Sequence, residues 1–196
     1  MRTQVVGAAL AAMMLPAAAH AEDFLGGRNG LVGGWDRVSI EAENIDGLGT
    51  DIDENFDGAT FGIVTGYHWP LGEGAIIGVG TSTMFSNNSK TVNVGADSFK
   101  VEAGRDLELH VKAGVIVNES TLLYAKVGYA NAKAKAKAVI NGVTYKDSDT
   151  GSGLRLGAGA EVSLNDSFSL VAEYRFTDYS NNLDRNQLVA GIAYKF

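Results

Sequence analysis

The stretch RLGAGAEVSLNDSFSLVAEYRFTDYS, residues Arg155 to Ser180, alternates apolar and polar residues on both sides of a short polar turn. In its second half one face is apolar and the other is mostly polar. The apolar set is Phe168, Leu170, Ala172, Tyr174 and Phe176, and the other set is Ser169, Val171, Glu173, Arg175 and Thr177. Because side chains alternate in a β-strand, this period of two predicts two antiparallel strands joined by the turn.

The same alternation recurs along most of the chain and predicts eight strands. We expect them at residues 35–43, 59–69, 75–85, 105–117, 121–132, 153–164, 168–179 and 187–196. Short turns alternate with longer polar connections, which we place at residues 44–58, 86–104, 131–152 and 180–186. This order predicts an all-β, eight-stranded antiparallel up-and-down barrel with its long loops at one end and both termini at the other.

The N-terminal 21 residues have the three parts of a secretory signal peptide: the cation Arg2, an apolar run from Val5 to Ala19, and Ala-His-Ala. We expect cleavage after Ala21 and one domain over residues 22–196. The chain has no cysteine, so a disulfide framework is excluded. Beyond the signal, the sequence lacks the roughly 20 consecutive apolar residues that a spanning helix requires.

Three features favour a transmembrane barrel whose apolar face points outward into lipid. Glycines lie beside charged residues on the polar face, where they would weaken a solvent-facing strand but suit a crowded interior. Small alanine and valine side chains are frequent on the apolar face, which suits lipid contact better than a close-packed core. Aromatic residues near the segment ends predict two interfacial girdles; they are Tyr67, Trp69, Phe85, Tyr129, Phe168, Phe176, Tyr194 and Phe196.

The signal, the alternating strands, residues 155–180 and the terminal AYKF together resemble the small eight-stranded outer-membrane β-barrel proteins. This group includes porin-family and opacity-type surface proteins related to the OmpA transmembrane domain. The resemblance implies a place in the outer membrane of a Gram-negative cell, in contact with its lipid and lipopolysaccharide. It also implies that the barrel assembly machinery recognises the last strand through Leu188, Ala190, Ile192, Tyr194 and Phe196. An ordinary C-terminal edge strand is the alternative.

An eight-stranded barrel has an interior just wide enough to be filled by side chains. Strand parity places nine charged residues there, namely Arg37, Glu41, Glu108, Lys112, Lys126, Arg155, Glu161, Glu173 and Arg175. Because buried charges require partners, we expect an ion-paired plug. A gate whose partners exchange to admit small ions is the alternative.

Two polar stretches are candidate ligand sites. In DIDENFDG, Asp53, Asn55 and Asp57 match the start of a calcium loop, but the acidic ligand expected later is Val64. An acidic, solvated loop is therefore favoured over a metal site. In AKAKAKA, parity places Lys133, Lys135 and Lys137 on the outer face, just beyond the girdle. There they would pair with lipopolysaccharide phosphates, or else form a solvated basic loop stem.

The remaining histidines, His68 and His110, form no recognisable catalytic triad in the sequence, and no cofactor is expected. The formal net charge of −7 disfavours nucleic acid as a partner. We therefore expect a monomeric, non-enzymatic outer-membrane protein with a structural or surface-interaction role. A narrow channel for small solutes is the second interpretation, and a lipid A-modifying enzyme is the third.

Overall fold

The computed structural model describes residues 21–42, 52–94, 97–140, 143–179 and 183–196. The expected signal peptide, apart from its last residue, lies outside these ranges. A 3-10 turn, Ala21–Phe24, precedes nine strands. These are β1 Gly26–Ala42, β2 Ile52–Pro70, β3 Ala75–Ser86, β4 Ser89–Val94, β5 Asp97–Asn118, β6 Thr121–Ile140, β7 Val143–Ser163, β8 Phe168–Tyr179 and β9 Leu183–Lys195. Within the described ranges, no helix has both the length and the apolar character needed to cross a membrane.

The strands form one closed antiparallel barrel. Sequential strands pair with each other, and β9 pairs with β1 to complete the circle. Strands β3 and β4 both pair with β5 and form a single crossing that is interrupted at Asn87 and Asn88. Eight crossings therefore surround the interior, which confirms the predicted fold. Within the described residues, closure gives each of the eight crossings a paired neighbour on both sides.

Several strands are longer than the alternation predicts. Strand β1 begins at Gly26 rather than at residue 35. The apolar pattern does not show its first part, because the glycine-rich segment GGRNGLVGG interrupts the pattern, although the segment pairs with β2 and β9. Strand β6 continues to Ile140 and strand β7 begins at Val143, so together they cover most of the connection expected at residues 131–152. In this part of the hairpin the strands remain hydrogen-bonded to each other, but neither face has to be apolar. The sequence therefore shows no alternation from which these strands could be predicted.

The predicted orientation of the strands is observed. Val111, Leu156 and Tyr174 lie on the outer surface with exposed fractions of 46%, 51% and 47%, whereas Arg155 and Arg175 are buried inside the barrel. Exposed aromatic residues form a girdle at each end of the outer apolar band. Those at the short-turn end are Tyr67, Trp69, Phe168, Tyr194 and Phe196, and those at the loop end are Trp35, Phe61, Phe85 and Tyr129. In water this continuous apolar band would be an unfavourable exposed surface, whereas the lipid of a membrane solvates it.

The short-turn end of the barrel is closed by an apolar cluster. Phe24, at the end of the 3-10 turn, is fully buried. It packs inside the barrel with Ile76, Ile116, Leu122 and Tyr124. The Phe24 carbonyl lies 3.0 Å from His68 Nδ1, and this contact ties the turn to β2. The residues just before β1 therefore form a stopper in this mouth of the barrel.

Candidate functional site

Arg155 on β7 is the centre of the loop-side half of the barrel interior. It is fully buried, and its Nη2 lies 2.6 Å from Asp106 Oδ2 while its Nη1 lies 3.1 Å from Glu108 Oε2. Its remaining nitrogen, Nε, donates to Thr177 Oγ1 at 2.6 Å. A buried guanidinium is tolerated when all its donors find acceptors, and here Nε, Nη1 and Nη2 each have one.

A second arginine extends this group across the barrel. Arg185 on β9 makes a bidentate pair with Asp36, with Nε–Oδ1 at 2.8 Å and Nη2–Oδ2 at 2.7 Å. Its third nitrogen, Nη1, lies 2.9 Å from Asp106 Oδ2. Asp106 thus joins Arg155 to Arg185, and the resulting chain of charges links β1, β5, β7 and β9. Bidentate geometry of this kind holds both partners in one orientation.

The turn-side half is built around Lys126 on β6. Its Nζ lies 2.7 Å from both Glu108 Oε1 and Glu173 Oε1. Tyr124 donates its hydroxyl to Glu173 Oε2 at 2.8 Å, and Arg175 donates to the other oxygen of the same carboxylate. Nearer the mouth, Arg28 pairs with Glu161. We call the charged residues that form these ion pairs the lumen network. Its members are Arg28, Asp36, Asp106, Glu108, Lys126, Arg155, Glu161, Glu173, Arg175 and Arg185.

Most residues predicted for the interior lie in this network. The structure brings together Glu108, Lys126, Arg155, Glu161, Glu173 and Arg175. Lys112 is also inside, with its Nζ 3.9 Å from the centre of the Tyr124 ring. The Glu41 side chain falls outside the part of the chain that the structure describes. Parity along the strands was therefore a sound guide wherever the strand limits were right.

The prediction that Arg37 lies inside the barrel is wrong. Arg37 lies on the outer face, over the Trp35 ring, and its Nε lies 2.8 Å from Asp57 Oδ1. The cause is the register of β1, in which Asp36 points inward and so turns its neighbour outward. This pair lies beyond the loop-side girdle, where hydrogen bonds from Arg37 hold the pKa of the Asp57 carboxyl below its usual value.

Four members of the lumen network were not anticipated, namely Arg28, Asp36, Asp106 and Arg185. Arg28 precedes the expected start of the first strand, and Arg185 precedes the expected start of the last. Extending the alternation of β9 backwards from Gln187 would have found Arg185. Asp106 lies within the strand expected at residues 105–117 and in phase with Glu108, so the same alternation would have found it; a β-bulge lies just before it, between Ala103 and Asp106.

Glycines on the inner face make room for the network. A Cβ at Gly157 would lie 2.8 Å from Lys126 Cε, and one at Gly159 would lie 2.7 Å from the Tyr124 hydroxyl oxygen. Real side-chain carbons do not approach so closely without displacing a neighbour. Side chains of β6 therefore occupy the space inside the barrel next to the glycines of β7.

The calcium-loop motif does not form a loop in the structure. Strand β2 begins at Ile52, so the motif is extended, and Asp57 pairs with Arg37. Asn55 accepts a 2.7 Å hydrogen bond from Ser39, while the Asp53 side chain falls outside the described residues. An extended strand cannot curl its oxygens around one ion as a calcium loop does. In the described ranges no group of three or more acidic, histidine or cysteine side chains could hold a metal ion.

Lysines line the outer face of the hairpins that extend above the loop-side girdle. Lys133 and Lys137 are exposed on β6, and the side chain of Lys135 is not described. The strand register sets Lys137 directly opposite both Lys100 on β5 and Lys146 on β7. We call these three residues the lysine row. The bulge in β5 brings Lys100 to this face by reversing the alternation, and directly opposed like charges are unfavourable unless an anion lies between them.

The last strand presents its predicted recognition residues on the outer face. Leu188, Ile192, Tyr194 and Phe196 are from 46% to 69% exposed, and Ala190 is exposed as well. The backbone N–H of Phe196 donates to the Gly27 carbonyl at 3.0 Å, and the Gly27 N–H donates back at 3.2 Å. Phe196 therefore takes part in closing the barrel through its backbone, and its ring remains available at the rim.

Sequence relatives of this chain are outer-membrane proteins. A 31 kDa outer-membrane immunogenic protein of Brucella melitensis biotype 1 is 27% identical over 149 residues, which cover 71% of this chain and 62% of the relative. A 22 kDa outer membrane protein of Rhizobium leguminosarum bv. viciae is 27% identical over 146 residues, covering 68% and 64%. This chain thus spans less than two thirds of the length of these relatives.

Solved structures share the fold. The crystal structure of Ail of Yersinia pestis, in complex with the heparin analogue sucrose octasulfate, is 15% identical, with a TM-score of 0.53 over 88% of this chain and 100% of its own. Neisserial surface protein A is 17% identical, with a TM-score of 0.53 over 87% and 97%. The family model of the outer membrane protein beta-barrel domain matches residues 7–196. The chain therefore belongs to the outer membrane protein beta-barrel domain family and is a protein of the outer membrane.

Proposed function

We propose that this protein is a closed structural barrel that does not conduct, and that it makes its contacts through the hairpins beyond the loop-side girdle. The observation that carries this proposal is the lumen network, whose ion pairs cross the interior from β1 to β5, β7 and β9. The apolar stopper around Phe24 supports closure at the other mouth. The two histidines among the described residues are buried and engaged, His68 with the Phe24 carbonyl and His110 with Glu108, which supports a role without catalysis.

Single-channel recordings test closure. We expect no discrete conductance steps from the purified protein in planar bilayers, nor from Glu173→Gln, because the pairs around Arg155 and Arg185 still cross the lumen when Lys126 loses one partner. A general porin in the same bilayers shows that the assay detects open pores. Steps in the wild type that become larger or more frequent in Glu173→Gln would favour the alternative, a narrow channel with exchanging partners.

The lysine row supports a second part of the proposal, contact with lipopolysaccharide phosphates. Lys137 is exposed between Lys100 and Lys146, and Lys133 is exposed on the same face of β6. This face extends outward from the girdle: at about 3.3 Å per residue, Lys133 and Lys137 lie roughly 13 and 26 Å along β6 from Tyr129. The cations thus lie outside the apolar band, on the side where lipopolysaccharide carries its phosphates. Lys100 is already paired with Glu102, so the repulsion that a phosphate would relieve is mainly that between Lys137 and Lys146, which favours this surface over a solvated basic stem.

Charge reversal at the centre of the row tests this contact. We expect Lys137→Glu to lower the amount of lipopolysaccharide that co-purifies with the protein several-fold, since one attraction is lost and one repulsion is added. The matched control is Lys195→Glu, the same change at the opposite end of the barrel, with Nζ 3.6 Å from Asp23. Equal retention of lipopolysaccharide by wild type and Lys137→Glu, or equal loss in both variants, would contradict the proposal.

We further propose that the barrel is a monomer assembled by the barrel assembly machinery through its last strand. The closed sheet supports the first statement, because the eight described crossings are paired on both sides and so offer no edge to a second copy. The exposed alternate residues of β9 support the second. A single species of monomer mass in sedimentation, with the detergent contribution subtracted, is the expected result, and a dimer mass would contradict it.

A further inference from the structure

The charges inside the barrel do not balance. Six cationic side chains face five carboxylates in the described interior; they are Arg28, Lys112, Lys126, Arg155, Arg175 and Arg185 against Asp36, Asp106, Glu108, Glu161 and Glu173. Five of the cations lie within 4.0 Å of a carboxylate oxygen. Among the described side chains, Lys112 has no carboxylate within that distance, and its contact is the Tyr124 ring. One positive charge is therefore left over, and it is placed at Lys112.

A cavity lies beside this surplus charge. Its volume is about 50 Å³, and Lys112, Arg28 and Arg175 contribute to its lining. A cavity of this size holds about three water-sized species. The remaining wall is partly apolar, with Val32, Val64 and Val79, so charges inside the cavity attract each other more strongly than in bulk water.

Two further donors at the cavity lack acceptors in the described part of the chain. Arg28 Nε and Arg175 Nη1 have no hydrogen-bond partner, although these side chains are only 5% and 2% exposed. Arg175 Nη1 has an ion-pair contact with Glu108 at 4.0 Å, which is too long for a hydrogen bond. Buried donors of this kind are costly unless a ligand accepts from them.

We propose that this cavity binds one monovalent anion of about the size of chloride. The anion would neutralise Lys112 and accept from the unpartnered donors of Arg28 and Arg175. The two carboxylates that also line the cavity do not oppose it strongly, because Glu161 is paired with Arg28, and Glu173 is paired with Lys126 and Tyr124. This inference goes beyond the proposed surface role and is independent of the lysine row.

Bromide, which scatters anomalously, tests the proposal directly. Crystals grown without halide and soaked in sodium bromide should show an anomalous peak in the cavity within contact distance of Lys112 Nζ. The peak should be absent in Lys112→Met, which keeps the length of the side chain and removes its charge. It should persist in Arg37→Met, which removes an exposed cation outside both the lumen network and the lysine row. A wild-type cavity without bromide would overturn the proposal.

Heat unfolding in detergent gives a second readout. At equal ionic strength, sodium bromide should raise the unfolding midpoint of the wild type and of Arg37→Met above that in sodium gluconate, whose anion is too large for the cavity. For Lys112→Met we expect the apparent bromide affinity to fall by about tenfold to a hundredfold, as befits loss of one charged hydrogen bond. An unchanged halide effect in Lys112→Met would contradict the site. If that variant does not fold, Lys112→Gln takes its place, and the wild-type bromide peak still decides.

Discussion

Replacing Arg155 with methionine should lower the free energy of unfolding of the barrel by about 3 to 5 kcal/mol. Arg155 is fully buried and donates to Asp106, Glu108 and Thr177. Without it, two buried carboxylates lose a partner and a buried hydroxyl loses a donor. Arg185 and Lys126 keep one contact each to these carboxylates, which favours the lower end of the range. The measurement is a urea titration of vesicle-reconstituted protein, read by the shift in gel mobility of unboiled samples.

The exposed ion pair on the same barrel is the matched control. Arg37→Met removes an arginine that makes two hydrogen bonds to Asp57, but both side chains are more than 40% exposed. Exposed pairs of this kind contribute little to the free energy of unfolding, because water solvates the carboxylate that remains. A similar loss of stability in both variants would mean that the interior is as well solvated as the surface, which the closed lumen network forbids.

Replacing Phe196 with alanine should impair assembly in cells severely and leave spontaneous refolding nearly intact. The two backbone hydrogen bonds to Gly27 do not depend on the aromatic ring, so the β9–β1 seam is retained. The ring is 69% exposed and stacks on Tyr194 with centroids 6.4 Å apart. Loss of such a contact lowers the stability by about 1 kcal/mol. A recognition role predicts a much larger effect on insertion by the assembly machinery than on unassisted refolding into lipid vesicles.

Tyr129→Ala separates recognition from loss of a girdle aromatic. Tyr129 is 62% exposed at the loop-side girdle and lies outside the last strand. We expect this variant to assemble in cells like the wild type, with a comparable small change in refolding. If Phe196→Ala lowers assembly and refolding to the same extent, the terminal ring has a structural role and the assembly signal is contradicted.

Strand parity predicted most of the interior residues, because charged side chains in the strands of a membrane barrel avoid the face that contacts lipid. The rule holds along β7 and β8, where Arg155, Glu161, Glu173 and Arg175 all point inward. It requires correct strand limits, and these are clear only where apolar residues mark the membrane-facing side.

Parity failed where local features change the alternation. At Asp36 and Arg37 two adjacent charges lie at the loop-side rim, and hydropathy alone does not tell which of them is buried. Before Asp106 a bulge in β5 shifts the phase by one residue, so parity extended backwards along β5 would place Lys100 on the wrong face, and bulges depend on pairing with the neighbouring strand rather than on a sequence signal. The lysine row has the same origin, because it depends on the register of three strands.

The most direct test of the account is to ask which side chains contact lipid in the unmodified protein. Nuclear Overhauser effects between acyl-chain methylenes and protein methyl groups distinguish adjacent residues that face opposite ways. We expect strong Overhauser effects from lipid to Leu31, Ile63 and Leu188, which are 70%, 55% and 56% exposed. We expect none to Val32 and Val189, which are 6% and 1% exposed. Lipid contacts to Val32 and Val189, with none to their neighbours, would contradict it.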